Sequence, residues 1–127
     1  MRNAVDAFVP CDATSPGRAR RFVADVLNRH GLESAQDEAT LLVSELVTNA
    51  IRHAKSDATI AIDLTDGRRV RVSVTDHGPG WPEPREPGDG QGGFGLQFVA
   101  EIADNWGTYR IGDGKTVWFE LDAAHVA

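Results

Sequence analysis

Three polar side chains recur every fourth residue in the stretch Ser44–Ala54, SELVTNAIRHA: Glu45, Asn49 and His53. Helical geometry turns about 100° per residue, so the three form a row that drifts about 40° at each step. The row borders an apolar stripe of Leu42, Leu46 and Ala50. A carboxylate and an amide carbonyl on such an edge suit a hard cation such as Mg²⁺, which takes oxygen ligands. Alternatively the Glu acts as a general base and the Asn alone holds the ion. His53 offers an imidazole to zinc, but no Cys/His set accompanies it.

Two further clusters have chemistry in them. Asp76-His77-Gly78-Pro79-Gly80 follows an apolar-patterned strand. An acid there can accept a hydrogen bond from an exocyclic amine, and glycines let a ligand approach the backbone. The same residue types also make a plain turn. Gly92-Gly93-Phe94-Gly95-Leu96 opens an amphipathic segment. Free N–H groups at a helix start bind phosphate, and Gly93 and Gly95 keep that approach open. Two other matches lack their context. Gly88–Gly93 reads G-x-G-x-x-G but follows PEPREP rather than a strand. Gly114-Lys115-Thr116 resembles the end of a phosphate-binding loop, but Tyr109 stands where its first glycine belongs.

The elements that must hold these clusters are read from periodicity. Residues 4–9 partly alternate and suit a strand. Ser15 as cap with Pro16 at the first turn predicts a helix carrying Ala19, Phe22, Val23, Val26 and Leu27, ended by Gly31. Ser34–Asp37 resembles a capping box with Asp in place of Glu and predicts a helix over about 35–54. Thr59–Thr65 and Val70–Thr75 alternate around Asp66-Gly67, a hairpin. Residues 78–95 hold 7 of 13 glycines and 4 of 6 prolines, which marks a loop inside the domain. Phe94–Ala103 predicts a helix, and Trp106–Ile111 with Thr116–Leu121 a closing hairpin. The order predicts one α+β domain over 1–127: a two-layer α/β sandwich with a mixed, mostly antiparallel sheet and helices on one face.

Composition excludes several classes. A net charge of −6 argues against direct nucleic-acid binding. No apolar run is long enough to span a membrane, and no signal peptide is visible at the N-terminus. A lone Cys11 fits a reducing cytoplasm. Phe8, Val9 and Ile51 fit either a core or an interface.

Taken together, the clusters resemble the boxes of the GHKL ATPase superfamily: ELVTNAIRHA the N box, DHGPG the G1 box and GGFGL the G2 box. Their order and the intervening loop cover nearly the whole chain. The small size and the ending GKTVWFEL look most like the bacterial anti-sigma factor serine kinases. The resemblance implies a Bergerat-type fold binding ATP and Mg²⁺. It implies Glu45 as the base that activates an acceptor serine, Asn49 as the Mg²⁺ ligand and His53 lining the pocket. Asp76 would bind the adenine amine, with Gly78 and Gly80 shaping the floor. Gly93, Phe94, Gly95 and Leu96 form the phosphate-side box, Thr116 sits behind the adenine, and residues 81–92 form an ATP lid. Phe94 departs from the polar or basic residue common there; Arg85 or Lys115 are the cations that would compensate. The implied partners are a sigma factor and an anti-anti-sigma (STAS-type) protein phosphorylated on serine, with the kinase a homodimer. Two other readings stay open: a module that binds ATP and sequesters a partner without transfer, and a detached histidine-kinase catalytic domain.

Overall fold

The computed structural model describes residues 3–64, 68–78 and 94–123. The described chain runs β1 (Asn3–Val9), α1 (Ser15–Arg29), a 3₁₀ turn (Glu33–Ala35), α2 (Gln36–Asn49), a π-helical segment (Ala50–Ala54), β2 (Ala58–Leu64), β3 (Arg69–Asp76), α3 (Phe94–Ile102), β4 (Asn105–Ile111) and β5 (Gly114–Asp122). The strands form one open sheet in the order β1-β2-β3-β5-β4. Every described pairing is antiparallel, so the sheet carries no parallel pair among the described strands.

Period-two alternation decides which face is buried. Along β2, Ala58, Ile60, Ile62 and Leu64 are buried and their neighbours are not. Val70, Val72 and Val74 do the same on β3. Register stacks these positions into rows: Ile60 opposite Val74 opposite Val117, then Ile62 opposite Val72 opposite Phe119. The helices close over this face with Val23, Leu27, Leu42, Val43, Val47, Leu96 and Val99 in one core. Phe119 is fully buried at its centre. Phe119→Ala is expected to cost about 3–5 kcal/mol, read from denaturant unfolding, because the neighbouring strands cannot collapse into the void.

The opposite face is polar and aromatic. Arg71 lies 4.0 Å over the ring of Trp118 and pairs with Glu120, which also pairs with Arg69. Phe8 on edge strand β1 is 64% exposed, whereas Val9 lies in the core and Ile51 packs half-buried against it.

Both expected helix caps are made differently. Ser15 is the first residue of α1, and its hydroxyl donates to the Pro10 carbonyl at 2.6 Å. The turn ahead of it is held by Asp12, which accepts from the Thr14 N–H and hydroxyl. Those bonds, the N–H first, hold the Asp12 carboxyl below the ordinary carboxylate range. A depressed folded-state pKa stabilises above the unfolded value, and that contribution is lost as pH falls through the depressed value. Asp12→Asn is therefore expected to lower the melting temperature slightly at neutral pH and to change little once pH has fallen below the depressed value, which flattens the acid limb of the profile. The Ser34 hydroxyl donates to the Ala123 carbonyl, so α2 begins at Gln36 without a capping box.

Candidate functional site

α2 exists because Ala39, Leu42, Val43, Leu46 and Val47 recur at helical spacing against the core. Glu45 and Asn49 sit one turn apart at the margin of that face, each half-buried. Neither makes a side-chain hydrogen bond or ion pair with another of the described residues. The helix then widens: Ala50–Ala54 is π-helical and ends on Lys55 in the left-handed region (φ 52°). Single π turns inside helices concentrate at functional sites. The wider turn breaks the four-residue row, and His53 is exposed rather than set on the apolar margin.

The π segment has a consequence for the second cluster. A Cβ on Gly78 would collide with the carbonyl and side chain of Ala54, so only glycine allows this approach. The His77 N–H donates to the Ser56 hydroxyl at 2.9 Å, which fixes the end of β3 against the same segment. The His77 side chain faces solvent. The first two motifs, separated by more than twenty residues in sequence, therefore meet at Ala54 and Gly78.

Asp76 closes β3 on its buried face, 5% exposed, in line with Val70, Val72 and Val74. The Gly78 N–H donates to its Oδ1 at 3.2 Å. Its partner across the sheet is Lys115, the second residue of β5. The ammonium is 2.9 Å from Oδ2 and 3.1 Å from Oδ1, and Lys115 is itself buried. Lys115 is thus committed to Asp76, which counts against its use as a substitute phosphate-binding cation. Gly114 is needed just before it, since a Cβ there would strike the Asp76 backbone.

Thr116 points the other way. Its hydroxyl shares a 2.7 Å hydrogen bond with Thr75, its register partner, on the sheet face opposite to Asp76. The side chain next to Asp76 from β5 is therefore Lys115, not Thr116. Sequence reasoning missed this pair although its signal was present. Lys115 alternates in phase with Val117, Phe119 and Leu121, all of them buried.

The third cluster enters as the start of α3, whose backbone begins at Phe94. Leu96 is 2% exposed and belongs to the core, so its side chain serves packing. α3 packs against α2, the helix that carries Glu45 and Asn49. Gly80, Gly93 and the segment 81–92, with Arg85, lie outside the described residues, as does the side chain of Phe94.

These parts suit a nucleotide chemically. A buried carboxylate ends a strand, and a glycine contact keeps the backbone beside it bare. A helix bears a carboxylate and an amide whose acceptors are unused among the described residues. Among the described residues no three His, Cys, Asp or Glu side chains gather as a metal cage. Mg²⁺ commonly rests on one or two protein oxygens plus phosphates, a mode that the Asn49 amide oxygen fits. No helix among the described residues is long and apolar enough to cross a membrane.

Comparison with known proteins agrees. Residues 9–121 match the family described as histidine kinase-like ATPase domain. Over 72 residues the chain is 35% identical to blue-light-activated histidine kinase 2 of Erythrobacter litoralis (strain HTCC2594). The match covers 53% of this chain and 20% of that protein. Among solved structures, the RsbU and RsbW domains of Rv1364c from Mycobacterium tuberculosis superpose with a TM-score of 0.74 at 18% identity, over 94% of this chain and 32% of that one. The catalytic domain of histidine kinase ThkA superposes with a TM-score of 0.57 at 17% identity, over 95% and 97% of the two chains. At these identities the superpositions speak for the fold, a GHKL sandwich. The family match spans most of the sequence, and with the three boxes in their places it leads to one conclusion: the chain belongs to the histidine kinase-like (GHKL) ATPase domain family.

Proposed function

We propose that this domain is an ATP-binding anti-sigma factor and serine protein kinase, one that phosphorylates an anti-anti-sigma (STAS-type) antagonist in a partner-switching pathway. The observation that carries this reading is the meeting of the Glu45–Asn49 helix with Asp76 and Gly78 through Ala54. That contact supports reading Glu45 as the base and Asn49 as the cation ligand of one site with Asp76, two residues before Gly78. The RsbW domain named in the Mycobacterium tuberculosis structure supports the partner-switching part of the reading.

In this proposal Asp76 accepts the adenine amine, while Gly78 and Gly80 keep the pocket floor open. Asn49 ligates Mg²⁺, which when bound offsets phosphate charge. Backbone amides around Gly93, Phe94, Gly95 and Leu96, at the start of α3, receive the phosphates, and residues 81–92 cover them. His53 lines the mouth. Glu45 takes the proton of the acceptor serine. Phosphoryl transfer asks mainly for such positioning and charge neutralisation. The whole chain, 1–127, acts as one unit, working as a homodimer in the cytoplasm and holding the sigma factor until unphosphorylated antagonist displaces it.

A second reading keeps the nucleotide and drops the transfer: an ATP-shaped module that sequesters its partner. Phe94, where the family resemblance implies a polar or basic residue, favours it. Calorimetric titration with ATP, with and without Mg²⁺, tests the nucleotide site. Magnesium-dependent binding is expected, and its absence under both conditions would sink the proposal. Transfer of labelled γ-phosphate to serine on an antagonist separates the two readings.

A further inference from the structure

Lys115 is the described residue held closest to the Asp76 carboxylate, with side-chain exposures of 9% and 7% for the two. An enclosed ion pair is a poor way to hold a sheet together, since well-packed apolar residues of similar volume often serve as well or better. The adjoining positions are apolar: Ala58 across β2, then Val74 and Val117 in the next row. A charged pair at the end of such a surface calls for a role beyond packing.

Its hydrogen-bonding capacity indicates one. A carboxylate offers about four acceptor directions and an ammonium three donors. Among the described residues Asp76 accepts from Lys115 on both oxygens and from the Gly78 N–H on Oδ1. Lys115 directs its donors at those two oxygens. Among the described residues, one acceptor direction on Oδ2 and one N–H of Lys115 are left, on atoms 2.9 Å apart. An acceptor beside a donor complements a base edge on which an amine adjoins an unprotonated ring nitrogen. Adenine carries that edge. A keto purine in the same pose turns a carbonyl oxygen toward the carboxylate and is rejected.

We propose that Lys115 is a specificity-determining residue that reads the nucleobase: Asp76 accepts the 6-amino group and Lys115 donates to the ring nitrogen beside it. This rests on the nucleotide-site reading above and adds a residue to it. The flanking nitrogen is N1 or N7, according to which edge faces the pair.

The test is titration of the intact protein with ATP, 1-deaza-ATP and 7-deaza-ATP. Loss of a hydrogen bond from a charged donor predicts about tenfold weaker binding of one analogue. Lys115→Met should bind ATP and that analogue equally. The double variant Asp76→Asn/Lys115→Met leaves no unpaired buried charge and must show the same loss of preference, which covers a single variant that fails to fold. A wild-type protein indifferent to both analogues, or a preference that survives Lys115→Met, overturns the assignment. Tighter ATP binding by Lys115→Met, with the preference retained, would make the ammonium a plug rather than a reader and also overturns it. A wild-type protein that binds neither ATP nor analogue removes the nucleotide reading itself, a result distinct from the others.

Discussion

Asn49→Ala is expected to weaken magnesium-dependent ATP binding by about a hundredfold, the upper range for losing one polar contact to a charged group. The half-buried amide sits on the last turn of α2 and makes no hydrogen bond to another described residue. Its loss should therefore leave the fold intact, since alanine is the best helix former. Calorimetry with and without Mg²⁺, beside a thermal melt, checks both halves. If the variant binds MgATP as the parent does, Asn49 is not the cation ligand.

Glu45→Gln is expected to split binding from chemistry. One turn earlier on the same margin, it changes charge but hardly changes shape. A general base contributes about 10²–10⁴-fold to rate. The variant should bind ATP within about twofold of the parent and lose phosphotransfer by that factor. Single-turnover transfer to the antagonist, at saturating ATP, is the relevant measurement. Unimpaired transfer would remove Glu45 from the chemistry. If the parent also transfers nothing while binding well, the sequestering module is the better account.

Much of this architecture could be read before any coordinates. β2 and β3 are legible because one face of each is buried and the other is not, so alternation survives in the sequence. α2 is legible because its apolar positions repeat over fourteen residues. The caps were not legible, because the competing partners are distant. The Ser34 hydroxyl finds a carbonyl 89 positions away, and no local pattern encodes that. The π segment was equally hidden: AIRHA carries good α-helical spacing, and the contact of Ala54 with Gly78 accompanies a departure from it. His53 was misplaced on the apolar margin for that reason. The place of Lys115 beside Asp76 was hidden for a different reason. Threonine suits a strand anywhere, whereas a lysine in phase with Val117, Phe119 and Leu121 conflicts with simple patterning. Such conflicts between local rules and position tend to fall at functional sites.

The widened turn at Ala50–Ala54 also limits how the length of this chain can change. A π turn holds one more residue than the α turn it replaces. Deleting any one of the five would let the helix relax to regular winding. Later residues would keep roughly their phase in that case, whereas one inserted residue would turn them by about 100° around the axis and carry Ala54 away from the glycine it touches. Nearby connections such as Gly112–Asp113 can lengthen on the surface at small entropic cost. This one cannot gain a residue without separating the two halves of the site. Insertion is the change it resists, and the burial of Ala50 and Ala54 holds those two side chains small as well.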